Sequence, residues 1–225
     1  MLLSNLLYIF YPRTCVACAG YIKSGLFCEK CLRALPRTEH ADVRGNIAEM
    51  ALEGVKNLDK AGAFLFFDKE HPIQRVIHRM KYADQPEIGY ALGRQAAMEW
   101  QYADFFGEID VIMPIPLHPK RLRERGYNQA EYIARGISEI TGIPVDTTHL
   151  KRVRNTPKQA MLEGEERVKN VASAFEVNHP EELADQHILL VDDLITTGET
   201  MKACIKAMRP VKGAKYTVFA LCKAR

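Results

Sequence analysis

One stretch leaves few folds open: Ile188-Leu189-Leu190-Val191-Asp192-Asp193-Leu194-Ile195-Thr196-Thr197-Gly198-Glu199-Thr200. A continuous run of large apolar side chains fits a strand buried on both faces, and both faces are buried when helices cover a mostly parallel sheet. The strand then delivers two carboxylates, a hydroxyl-rich turn and a helix start, in that order. Ligands of open α/β sheets bind beyond the carboxyl ends of strands, and the exposed N–H groups of a helix N-terminus favour a phosphate. Gly198 lets the backbone approach such an anion, and Thr196, Thr197 and Thr200 supply hydroxyl donors. Asp192 and Asp193 would repel it, so their natural partners are sugar hydroxyls and a divalent cation. Helix capping alone needs only one such residue.

The rest of the chain alternates in the same style. Strands are expected at Ala63 to Phe67, Ile109 to Met113, Phe175 to Val177 (an edge strand) and Tyr216 to Leu221. Helical periodicity runs from Pro72 to Trp100 with a break near Tyr82 to Pro86, from Asn128 to Thr141 ahead of Gly142, from Glu165 to Ala174, and from Thr200 to Met208. Arg37 to Asp59 reads as a polar connector. The expected class is α/β, a mostly parallel sheet with helices on both faces.

At 225 residues, 47% apolar and 26% charged, the chain has the composition of a soluble globular protein. The formal charge of +3 is close to balance, so an anion site has to be local. Met1 to Tyr11 is apolar but lacks a basic start and a cleavage site and is too short to span a bilayer, so a short docking helix and a cytoplasmic location are expected, without membrane insertion.

Cys15, Cys18, Cys28 and Cys31 form two Cys-x-x-Cys pairs. Two such knuckles complete the tetrahedron that zinc accepts, and the segment between them, Ala19 to Phe27, reads as a short hairpin. A disulfide pair conflicts with a reducing compartment, and a redox dithiol needs only one such motif. Four sulfurs leave no open position, which makes the expected zinc structural. Cys204 and Cys222 read as small core residues. A boundary is expected near residue 36, with a helix and four-cysteine finger over 1–36 and the α/β domain over 37–225.

Strand, Asp192-Asp193 and Thr196-Thr197-Gly198-x-Thr200 together resemble the phosphoribosyl-pyrophosphate (PRPP) motif of type I phosphoribosyltransferases. A second segment, Pro114-Ile115-Pro116-Leu117-His118-Pro119-Lys120-Arg121-Leu122-Arg123-Glu124-Arg125-Gly126-Tyr127-Asn128-Gln129, puts basic residues just after a strand end. With the four-cysteine finger, Lys81-Tyr82, Gln159-Ala160-x-Leu162 and Arg167-x-x-Asn170-Val171-x-x-Ala174-Phe175, it resembles the ComF family, a finger followed by a phosphoribosyltransferase domain linked to DNA uptake and related in chemistry to amidophosphoribosyltransferases.

The resemblance implies that Asp192 and Asp193 hold the ribose hydroxyls and that Thr196, Thr197, Gly198, Glu199 and Thr200 cradle the 5-phosphate. Pro114 to His118 would form the pyrophosphate loop, with Ile115, Pro116 and Leu117 binding PRPP together with Lys120 and Arg121, and with Mg²⁺ bound alongside PRPP. Lys120 to Gln129 would belong to a flexible closing loop, and Arg125 would join the two acids in catalysis. Lys81 and Arg167 read equally well as helix-surface charges.

The implied activity is transfer of 5-phosphoribosyl to an unidentified acceptor. Its rival is a non-catalytic DNA-uptake protein that binds single-stranded DNA or a helicase partner, with PRPP as a regulatory ligand. Tyr8, Phe10, Tyr11, Arg13, Tyr21, Lys23 and Phe27 around the finger suit either a stacking surface or a small core. A dinucleotide enzyme is excluded, because the Gly-x-Gly-x-x-Gly turn is missing.

Overall fold

A computed structural model describes residues 13–68, 70–154 and 174–224. The docking helix, Tyr8, Phe10, Tyr11, the segment from Gln159 to Leu162, Arg167 and all but the last residue of the helix expected from Glu165 to Ala174 lie outside the described residues. Finger helix α1 (Glu29–Arg33) and α2 (Ile47–Ala51) precede β1 (Leu58–Phe67). Then follow α3 (Ile73–Tyr82), α4 (Glu87–Trp100), β2 (Val111–Pro114), α5 (Pro119–Arg125) and α6 (Gln129–Thr141). The chain continues through β3 (Leu150–Arg152), β4 (Phe175–Val177), β5 (His187–Ile195), α7 (Glu199–Ala207) and β6 (Lys215–Ala224).

The main sheet has the order β1-β6-β5-β2 and every pair in it is parallel. The apolar run of β5 explains why it is central. Ile188 and Leu190 pack into one layer, Leu189 and Val191 into the other, and all four are fully buried. Each such side chain contributes about 2 kcal/mol of apolar burial, before the entropy of ordering it. Residues of α3, α4 and α6 fill the first core, and residues of α7 with Ala48 of α2 fill the second. The helices α4 and α6 pack closely because Gly93 and Gly136 face backbone: a Cβ there would stand 2.3 Å from the Ile133 carbonyl oxygen and 2.2 Å from that of Tyr90.

Several boundaries differ from expectation, each for a tertiary reason. β5 does not end before the acids but continues through Ile195, because β6 pairs with it as far as Ile195↔Lys223. β4 is not on the edge of the main sheet; it pairs antiparallel with β3 in a separate ribbon. Most of the segment from Lys120 to Gln129, expected as a flexible loop, is helical: Pro119–Arg125 form a helix, since His118 accepts from the Lys120 N–H at its start and Gly126 closes it in the left-handed region (φ 82°). The polar connector carries α2, capped by Asn46. The finger hairpin is reduced to one bridge, Thr14↔Tyr21, which spans the first knuckle and does not join the two.

Candidate functional site

The carboxyl ends of β2 and β5 lie side by side, and most of the residues singled out from sequence gather there. Successive strand residues point to opposite faces, so Asp192 and Asp193 diverge. Asp193 accepts a hydrogen bond from the Lys81 ammonium of α3 at 2.8 Å. Burial works against the charge on Lys81, yet the adjacent Asp193 carboxylate outweighs it and holds Lys81 above its ordinary range. Asp192 accepts from the Asp193 backbone N–H at 2.7 Å. Burial first, and repulsion from Asp193 second, push its carboxyl up to about 7; Lys81 and Arg152 pull the other way.

Arg152, at the end of β3, was not singled out from sequence. Burial lowers its pKa, with Arg121 adding repulsion and Asp192 opposing the shift, so these three groups share one neighbourhood. The only sequence signal was a basic pair, Lys151-Arg152, after apolar Leu150.

The raised carboxyl makes a prediction. The folded chain holds the Asp192 proton more tightly than an unfolded one, whose value is 3.8. Its contribution to stability is therefore complete below about pH 4 and is lost as pH rises through about 7. Calorimetric melting of wild type and Asp192→Asn from pH 4 to 8 should show the variant gaining relative stability with rising pH. A constant difference would contradict the assignment.

Past Ile195 the backbone turns at Gly198 (φ 80°), which opens α7 without a side-chain cap. Thr196 and Thr197 are exposed, while Glu199 and Thr200 are half-buried in the first turn. The N–H groups of that turn have no intrahelical acceptors, as at any helix start. The turn is held from two sides: a Cβ on Gly198 would meet the Ala51 carbonyl oxygen of α2 at 2.5 Å, and the buried Lys223 ammonium donates to the Thr196 carbonyl at 3.0 Å.

On the neighbouring strand, Ile115 continues the ladder by donating its N–H to the Val191 carbonyl at 2.8 Å. Pro116, Leu117 and His118 follow, half-buried. Asn128 ties this exit to α6, with its amide donating to the Ile115 carbonyl at 3.0 Å and its side-chain oxygen accepting from Ala130. On α5, Lys120 and Arg123 are exposed. Arg121 and Arg125 instead line a cavity of about 530 Å³ with Lys81, Tyr82, Asp84, Glu124 and Tyr127. Arg125 donates to Gln129 at 2.7 Å and lies 5.2 Å from the Tyr82 ring centre. His187, by contrast, begins β5 at the opposite end of the strand, against Thr217.

In the finger, the four sulfurs of Cys15, Cys18, Cys28 and Cys31 lie within 4.8 Å of one another. Cys18 and Cys28 are 3.8 Å apart. Zinc–sulfur bonds of about 2.3 Å in a tetrahedron require separations near 3.8 Å, so the donor set fits one zinc. The distance is far beyond a disulfide bond. Cys204 and Cys222 are fully buried, and burial pushes both thiols up, consistent with inert core positions. Tyr21 is 81% exposed, whereas Leu26 and Phe27 pack on the main core, so the finger aromatics divide between surface and interior. Elemental analysis of protein purified under reducing conditions should find about one zinc per chain, and Cys28→Ser should lose it.

Among the described residues no helix is long and apolar enough to cross a membrane. A family profile described as "Phosphoribosyl transferase domain" matches residues 81–225. Competence protein F of Haemophilus influenzae is 28% identical over 96% of this chain and 99% of its own length. DNA utilization protein YhgH of Escherichia coli is 28% identical over 69% of each chain. Competence protein ComFC of Bacillus subtilis is 31% identical over 51% of this chain and 45% of its own. A solved glutamine PRPP amidotransferase from B. subtilis shares 19% identity over 64% of this chain and 30% of its own, with a TM-score of 0.43. With its parallel sheet, its strand-turn-helix site and homologues named competence protein F, ComFC and YhgH, the chain belongs to the phosphoribosyl transferase domain family and has the type I phosphoribosyltransferase fold.

Proposed function

We propose that this protein binds PRPP and transfers its 5-phosphoribosyl group to an acceptor, with release of pyrophosphate. One observation carries the reading: the acid pair of β5, the open turn at Gly198 and the basic segment after β2 converge at the carboxyl ends of adjacent parallel strands. In this reading residues 1–36 form the finger unit and 37–225 the transferase unit. Asp192 and Asp193 accept hydrogen bonds from the ribose hydroxyls, and the N–H groups and hydroxyls from Thr196 to Thr200 hold the 5-phosphate. Ile115, Pro116 and Leu117 flank the pyrophosphate. Bound Mg²⁺ would supply neutralising charge to the pyrophosphate oxygens.

The C1–oxygen bond breaks with its electron pair leaving on pyrophosphate, and the acceptor's lone pair forms the new bond to C1. Lys120, Arg121 and Arg125 meet the charge that develops on the leaving group. Titration calorimetry with Mg²⁺ and PRPP tests the reading. Binding is expected in wild type and lost in Asp192→Ala/Asp193→Ala; no binding in wild type would sink it.

The names of the relatives favour a second reading, a DNA-uptake protein that contacts single-stranded DNA or a helicase, with PRPP as a regulatory ligand. The exposed Lys120 and Arg123 and the exposed Tyr21 suit such a surface. Fluorescence anisotropy with a labelled oligonucleotide should then show binding that weakens as salt rises and when Arg121, Arg123 and Arg125 are replaced by Gln. Unaltered binding in that triple variant would remove α5 from the nucleic-acid surface.

A further inference from the structure

Three consecutive residues in the last turn of α3 reach three different parts of the molecule. A helix advances about 100° per residue, so neighbours in sequence must face different surroundings. Arg79 donates to the Val16 carbonyl at 3.1 Å and to Gln85 at 2.9 Å. The Met80 carbonyl accepts the Tyr127 hydroxyl at 2.6 Å. Lys81 donates to Asp193 at 2.8 Å.

Val16 lies inside the first cysteine knuckle, between Cys15 and Cys18, and its own N–H closes the finger by donating to the Leu26 carbonyl at 2.9 Å. Its side chain is buried in the same core as Val76, Ile77 and Met80 of α3. The position of its carbonyl depends on the knuckle being folded around the four sulfurs, because so short a segment has little core of its own. Arg79 bonds that carbonyl, and Lys81, two residues on, bonds Asp193 of the acid pair.

We propose that the last turn of α3 couples metal in the cysteine finger to the sugar-phosphate site, with Arg79 and Lys81 as positioning residues that set PRPP affinity. This gives the finger a role beyond stapling its own segment, and it rests on the PRPP reading above. Lys81 compensates Asp193 beside Asp192, so displacing it exposes an incoming polyanion to an uncompensated Asp193 carboxylate. Loss of an outer supporting contact of this kind typically costs ~10-fold or more in affinity.

The test measures PRPP affinity by calorimetry in wild type and Arg79→Met, each with zinc and after chelation. Zinc-loaded Arg79→Met should bind about tenfold more weakly than wild type while keeping its zinc. Chelation should weaken wild type to the same degree and leave Arg79→Met no weaker, since the link is already cut. Arg79→Lys, which can reach the same carbonyl, should recover affinity, and exposed Arg75→Met on the same helix should match wild type. Wild-type affinity in zinc-loaded Arg79→Met overturns the proposal, as does a full chelation effect in that variant.

If chelation unfolds the chain, the zinc-loaded variants decide alone. If wild type binds no PRPP, the functional reading fails separately and hydrogen exchange decides the coupling. Zinc removal, or Arg79→Met, should then speed exchange at residues 79–83 and 192–195, and unchanged exchange there would overturn it.

Discussion

Asp193→Ala is expected to destabilise the protein by about 3–5 kcal/mol in addition to abolishing PRPP binding, because it strands a charge. Lys81 and Asp193 have side chains only 17% and 15% exposed, and their 2.8 Å contact joins residues 112 apart in sequence. Removing one partner leaves an ammonium with little access to water. Removing both reverses the argument: Lys81→Met with Asp193→Leu replaces the pair by apolar groups and should recover most of the lost stability, though not binding. Urea denaturation of the three proteins checks this. A loss below about 1 kcal/mol in Asp193→Ala would mean that the pair behaves as a solvated surface contact.

Gly198→Val should cost about 3 kcal/mol and reduce PRPP affinity by at least about a hundredfold. Two penalties coincide at this residue. Its φ of 80° lies where a β-branched side chain is strained, and a Cβ would be 2.5 Å from the backbone oxygen of Ala51 and 3.0 Å from Leu52. Backbone cannot move aside as the end of a side chain can, so α2 or the turn must shift. The turn is where the 5-phosphate would be held, and its N–H groups lose their common focus when it moves. The thermal midpoint and calorimetric affinity should therefore fall together; a variant that loses stability but binds normally would separate the turn from the ligand.

Much of this organisation was legible in the chain itself. The run from Ile188 to Val191 made a doubly covered strand necessary, the break near Tyr82 to Pro86 separated α3 from α4, and the two Cys-x-x-Cys pairs marked a metal-sized cluster. These features are local: periodicity, turn residues and ligand spacing act within a few residues of one another. The acids and threonines of the site were visible for the same reason, since one strand-turn-helix unit supplies them all.

What the tertiary structure decided lies in contacts between segments far apart. Lys81 read equally well as a surface charge, because nothing near it in sequence names Asp193 as its partner. Arg152 belongs to the site only because the β3–β4 ribbon brings it beside Asp192 and Arg121. β5 runs on through its own acids because β6 pairs with it there, and α5 is a helix because His118 and Gly126 cap a segment that the family resemblance implied to be a flexible loop. Sequence thus marked the candidate groups of the site. Packing decided which cations face which carboxylates, because the energy of a charge depends on the dielectric and neighbours that only the folded chain supplies.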